Sequence, residues 1–156
     1  MKSDKKITLI AMTNKEHNNI ILKLGIALAS KNLFSIKEIG EFMQETGADE
    51  FSNGGFWLYG YESNDCYLSD KFLESLEYKR EEIEENVGFF YKVANHEHLD
   101  RSFEILNKLI EKKSEFCFVN ELDYTKKSGE VFTVECSGTP LYKNNKPYIV
   151  LGTHVI

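Results

Sequence analysis

Apolar positions along this chain repeat with a helical period before residue 52, and after it strand-like alternation appears on both sides of further helical stretches. In residues 15–30, Ile20, Ile21, Leu24 and Leu28 recur at helical spacing, and Ala27 and Ala29 are strong helix formers. Ser35 followed by Glu38 is a capping-box signal, and Ile36, Ile39, Phe42 and Met43 form an apolar stripe behind it. Gly47 supplies a stop. The first third thus predicts a loose lead-in through about residue 14, then two helices divided by a break near residues 31–34.

The turn cluster Ser52-Asn53-Gly54-Gly55 opens a different pattern. Phe56-Trp57-Leu58-Tyr59 and Cys66-Tyr67-Leu68, divided by the polar Glu62-Ser63-Asn64-Asp65, predict a β-hairpin. Ser69 or Asp70 can cap a short helix over 71–76, with Phe72 and Leu76 on one side, and a second short helix is expected over 80–85. Residues 98–112 carry an amphipathic stripe of Leu99, Phe103, Leu106, Leu109 and Ile110. Phe116, Phe118, Leu122 and Tyr124 then alternate, and two more strands are predicted over 131–137 and 148–154. Hairpins at both ends with helices between them predict an α+β fold with an antiparallel sheet.

Length and charge narrow the function classes. A chain of 156 residues suffices for one ordinary domain plus an added element. Hydrophobic residues at 42% and charged residues at 28% are a globular composition. Acids outnumber bases 25 to 19, giving a net charge of −6, which argues against nucleic acid as a partner; the basic clusters at 2–6 and 126–127 are diluted by neighbouring acids. No apolar run reaches the roughly 18 to 20 residues that span a bilayer, and the run over 7–12 is short for a signal peptide. A cytoplasmic location is therefore expected. Cys66, Cys117 and Cys136 are odd in number and widely spaced, which fits neither a disulfide framework nor a zinc knuckle; buried reduced thiols are expected.

The layout and several residues together resemble the PAS family, in the bacterial subgroup found in sensor kinases and cyclases. Gly55-Phe56-Trp57-Leu58-Tyr59 is similar to its opening strand. Tyr67-Leu68-Ser69-Asp70 followed by Phe72, Leu76 and Tyr78 resembles its second strand and first short helix. Residues 94–101 match a helix start usually reading His-Pro-Asp-Asp-Leu-x-Arg at Leu99 and Arg101, with Asn95 and His96 replacing the His-Pro. Ser128-Gly129 stands for the family's Asp-Gly turn, and Gly138, Pro140, Lys146-Pro147 and Gly152-Thr153-His154 follow at its spacing. Glu77 departs from the family's Gly. Ile156 stands where an Asp-Ile-Thr linker to an output helix begins, so either a piece of a longer sensor or a stand-alone module is expected.

The resemblance implies a PAS-like five-stranded antiparallel sheet with helices on one face over residues 51–156, preceded by an N-terminal helical extension, 1–50. Within the extension, the stretch 21–50 with Gly47-Ala48-Asp49 faintly resembles the start of a GAF domain. The implied function is a sensory or regulatory module acting by ligand sensing or dimerisation, with an output domain such as a histidine kinase or cyclase in a longer parent protein. The alternatives are a ligand-free protein–protein interaction scaffold and, further off, a GAF-like binding domain or a small enzyme on a similar sheet.

Chemistry-bearing residues are sparse. No nucleophile-elbow, zincin, phosphate-loop or dinucleotide pattern is present, so no catalytic residue is expected. His96 and His98, at i and i+2, do not share a helix face, and the expectation is solvated side chains rather than metal or haem ligands. Residues 86–94 lack the cysteine of the light-sensing PAS branch, which excludes a covalent flavin adduct. No cofactor is predicted. Glu81, Glu82, Glu84 and Glu85 read as a solvated face. Alternation separates Trp57, Tyr59 and Tyr61 from Phe56 and Leu58, and the resemblance turns the Trp57 side toward the core. Candidate pocket liners are Trp57, Tyr59, Leu68, Phe72, Leu76, Phe103, Leu106, Phe116, Phe118 and Cys136, all equally at home in a filled core. The last three strands are apolar on both faces, so a cover for the second face is required. Ile20, Ile21, Leu24 and Leu28 are the candidate interface, either within the chain or across a homodimer.

Overall fold

The structure, a computed structural model, describes residues 15–29, 35–113 and 117–156; the lead-in, the break near 31–34 and Phe116 lie outside the described residues. Two helices come first, α1 (Lys15–Ala29) and α2 (Ile36–Glu45). The Ser35 hydroxyl accepts from the Glu38 amide at 3.1 Å to start α2, and Gly47, with φ of 85°, takes the left-handed conformation just beyond its end. A 3₁₀ turn, Ala48–Phe51, leads to β1 (Phe56–Gly60) and β2 (Cys66–Leu68). Next come α3 (Asp70–Leu76), a 3₁₀ turn at Arg80–Glu82, α4 (Val87–Val93) and α5 (His96–Glu111). The strands β3 (Phe118–Thr125), β4 (Val131–Lys143) and β5 (Lys146–Val155) complete the chain.

The five strands form one antiparallel sheet in the order β2-β1-β5-β4-β3. One register line crosses all of them: Leu68 pairs with Trp57, Trp57 with Gly152, Gly152 with Gly138, and Gly138 with Phe118. Because side chains alternate, this line and its second neighbours form one face, which α3, α4 and α5 cover through Phe72, Leu76, Phe90, Val93, Leu99 and Leu106. On the opposite face, Phe56, Leu58, Tyr67, Ile149 and Leu151 pack under Ile20, Leu24, Ile39 and Met43 of α1 and α2. The extension therefore buries the second apolar face within the same chain. Tyr67 lies so close over α2 that a Cβ on Gly40 would sit 2.1 Å from its ring.

Two sequence expectations are corrected. The helix over 80–85 is only the 3₁₀ turn Arg80–Glu82, and the true helix is α4, seven residues on, started by Asn86, whose side chain accepts from the Gly88 amide at 2.9 Å. The glutamate run is not wholly solvated. Glu85 turns back to the edge strand β2: its main-chain oxygen accepts from the Cys66 amide and its carboxylate from the Leu68 amide, both at 2.9 Å. Arg80 completes the clasp, donating to Leu68 O, Asp70 and Glu85 at 2.8 Å each while its guanidinium stacks on Tyr67. Edge donors that would otherwise recruit another strand are thereby used up.

Candidate functional site

Between the α3–α5 layer and the Trp57 face of the sheet lies an internal cavity of about 40 Å³. The two glycines of the register line are what would make room there. A Cβ at Gly152 would fall 1.9 Å from the Trp57 indole, and one at Gly138 would fall 2.5 Å from the Phe118 ring, so these rings lie down over the glycines and fill the space above them. Trp57, Tyr59, Phe103, Leu106, Phe118 and Cys136 line what remains. Leu68, Phe72 and Leu76 sit in the same core without reaching the cavity wall. Val87, Phe90, Leu99, Ser102, Leu122 and Tyr124 also line it. Val87 and Phe90 come from α4, whose Val87-Phe90 spacing of three was the signal available in the sequence.

Beside the cavity, the Trp57 Nε1–H donates to His154 Nε2 at 3.2 Å, and the Tyr124 hydroxyl lies 3.3 Å from the same nitrogen. Phe72 stands edge-on to the imidazole at 4.5 Å. Complete burial lowers the His154 pKa to about 3, so the ring is neutral, and acceptance at Nε2 puts its proton on Nδ1. On the other face His17 of α1 is also fully buried, its Nδ1 and Nε2 2.9 and 2.7 Å from the hydroxyls of Thr153 and Thr139. Desolvation lowers its pKa to about 4. Of two consecutive residues of β5, Thr153 thus holds His17 on one side of the sheet, and His154 is itself the buried histidine of the other.

The thiols are free and buried, and burial pushes Cys66 and Cys136 up to about 12 and Cys117 to about 11; they stay protonated and pack as apolar groups. His96 is exposed, with Nε2 2.6 Å from the Tyr91 carbonyl oxygen, and His98 Nδ1 accepts from the Asp123 amide at 3.1 Å, pinning the start of α5 to the β3 edge. Among the described residues no group of three or more His, Cys, Asp or Glu could hold a metal ion.

A profile of the PAS fold matches residues 65–154, more than half of the chain. The chain belongs to the PAS family. This PAS domain is also similar in fold to a sensory box histidine kinase/response regulator from Burkholderia thailandensis, at 18% identity and a TM-score of 0.56 over 72% of this chain and 82% of that one. A variant of the fungal photoreceptor Vivid gives 15% identity and a TM-score of 0.53 over 88% and 99% of the two chains. An RsLOV variant gives 18% and 0.50 over 66% and 58%. At these identities the likeness shows the fold alone. Comparison with curated proteins finds no match. With its side chains as they stand, the PAS cavity is too small for the larger cofactors of the fold. Ligand pockets run from about 300 Å³ upward, and neither a flavin nor a haem enters one of about 40 Å³. Among the described residues no helix is long and apolar enough to cross a membrane.

Proposed function

We propose that this PAS domain is a cytoplasmic regulatory module of a longer bacterial signalling protein, a sensor histidine kinase or similar, and that it works through packing and self-association rather than through a large bound cofactor. The observation that carries this reading is the self-filled core: Trp57 and Phe118 occupy the space above Gly152 and Gly138 and leave about 40 Å³. Such a core favours the interaction-scaffold reading over a sensor of drug-sized ligands, and it gives no support to a catalytic role. Residues 1–50 act as the element through which the state of the sheet reaches a partner copy and an output domain. Small shifts of packed elements suffice for such transmission.

The association surface in this reading is the outer face of α1. Ile20 and Leu24 are spent against the chain's own sheet, and Ile21 is partly covered. Leu22 and Ile26, four residues apart on the outside, are 66% and 57% exposed, and Leu28 is 36% exposed. Exposed apolar stripes of this kind mark interaction sites. Light scattering coupled to gel filtration is expected to give a dimer at tens of micromolar chain. Leu22→Glu with Ile26→Glu is expected to give a folded monomer. A wild-type chain that stays monomeric at high concentration removes the self-association part of the proposal.

A further inference from the structure

Outside the PAS cavity, where β1 runs into its turn, a second hollow of about 430 Å³ opens to solvent between Tyr59, Tyr61, Val87, Tyr91, Phe103 and Asn107. Its size is that of a small-molecule cleft. Four of these six residues are aromatic, and they form a continuous wall: Tyr59 meets Tyr61 at 70° and Phe103 at 75°, each at 6.2 Å, and Phe103 meets Tyr91 at 9° and 6.2 Å. The edge-to-face pairs turn ring planes in different directions, so the wall is not one flat surface. The near-parallel pair is stacked on itself and leaves no slot for a flat aromatic ligand.

Three observations give the chemistry of the occupant. Elsewhere in this domain several rings are already faced by a cation of the chain: Arg80 on Tyr67, Lys92 and Lys127 on Tyr78, Lys126 on Phe132, Lys143 on Tyr148, at 4.6 to 5.8 Å. Among the described residues the four rings of the cleft have no such cation. The hollow is lined by no lysine or arginine, while the Asp100 carboxylate stands 3.5 Å from the Tyr91 hydroxyl at its rim. The chain as a whole carries a charge of −6, which draws in cations and repels anions.

We infer that this cleft is a binding site for a small organic ammonium ion, with the aromatic wall taking the methylated head by cation–π contact and Asp100 at the rim favouring its charge. The site shares Tyr59, Val87 and Phe103 with the lining of the PAS cavity, but the function proposed above rests on Trp57 and Phe118 filling the core, so the fate of this site does not decide it. The test titrates choline and its neutral carbon isostere, 3,3-dimethylbutan-1-ol, into the full chain while aromatic ¹³C–¹H resonances are followed. Choline is expected to shift Tyr61, Tyr91 and Phe103 and to bind about 3- to 30-fold more tightly than the alcohol. Tyr61→Leu and Tyr91→Leu keep apolar bulk but remove a ring face, and each is expected to weaken choline several-fold, whereas Tyr78→Leu leaves it unchanged. Tyr91 is 39% exposed and tolerates replacement, and unchanged Trp57 fluorescence checks that each variant is folded. Absence of choline binding, equal affinity for the two probes, shifts confined to the inner core, or full choline affinity in both leucine variants would overturn the assignment.

Discussion

At Gly152 a missing Cβ decides what the floor of the core can be. The residue faces Trp57 across the β1–β5 pair and Gly138 across the β4–β5 pair, so its backbone is fixed on both sides. A methyl group there meets the rigid indole at 1.9 Å, and the indole in turn is tied to His154 and packed edge-on against Phe90. Relief requires moving a ring already held at two points. Overpacking of this kind costs about 1–3 kcal/mol, occasionally more, and Gly152→Ala is expected to lie at the upper end. Trp57 is the chain's one tryptophan, so its fluorescence reports on the same site that the substitution disturbs. A urea titration followed by that signal should show the midpoint falling by more than about 1 M, given slopes of about 1–3 kcal/mol per molar. A midpoint near the wild-type value would mean that the indole has somewhere else to go, and the core would then be less filled than its geometry indicates.

At the level of elements, the extension is joined to the rest of the PAS domain by more than apolar cover. The first turn of α3 has orphan amide donors, as every helix start does. Asp70 and Lys71 donate theirs to Gln44 Oε1 and Asp49 Oδ2, at 3.0 and 2.8 Å, both from the extension. The next donor, at Phe72, faces the Ser69 hydroxyl, which also accepts from Phe56 of β1 at 2.9 Å. A chain beginning at Phe51 would lose these two caps and expose Phe56, Leu58, Tyr67, Ile149 and Leu151 at once. It is expected to bind a hydrophobic dye such as ANS and to lose the sharp unfolding transition of the full chain. A truncated chain that unfolds at the full-length midpoint would show that residues 1–50 are an appendage. The strands and α5 were legible in the sequence because period and turn residues agree there, and Ser69 and Ser35 announced their caps. The need for a cover on the second face was also legible, from apolar residues at both parities of the last strands. What the sequence hid was long-range pairing. Nothing local in Asp49 or Gln44 points to α3, and nothing in Glu85 points to the edge of β2. The α4 helix escaped because Gly88 and three aromatics dilute its pattern. Glu77, out of keeping with the family's Gly, shows why that Gly is preferred: its φ is 66°, a left-handed conformation at the end of α3.

For the molecule as a whole, the two buried histidines set how stability answers to acid. Burial lowers His17 to about 4 and His154 to about 3, against an ordinary value near 6.5 that the unfolded chain regains. Below 6.5 the unfolded chain therefore takes up protons that the folded chain refuses. Stability is complete above that value and is lost as pH falls, down to about 4 for one ring and about 3 for the other. Each histidine contributes a slope approaching 1.4 kcal/mol per pH unit once its unfolded form is protonated. Glu77 and Glu82, held below the usual carboxylate range by hydrogen bonds from Ser128 and Lys127, act in the same direction but only nearer pH 4. The window from 6.5 to 5 thus isolates the histidines. Urea unfolding at several pH values across it should give a falling free energy in the wild-type chain. In His17→Gln, whose amide can still meet the two threonine hydroxyls but cannot take up a proton, the slope should drop to about half. An unchanged slope would mean that the imidazole reaches water in the folded state, and the tie between α1 and the sheet would then have to rest on apolar contacts such as those of Ile20, Ile21 and Leu24.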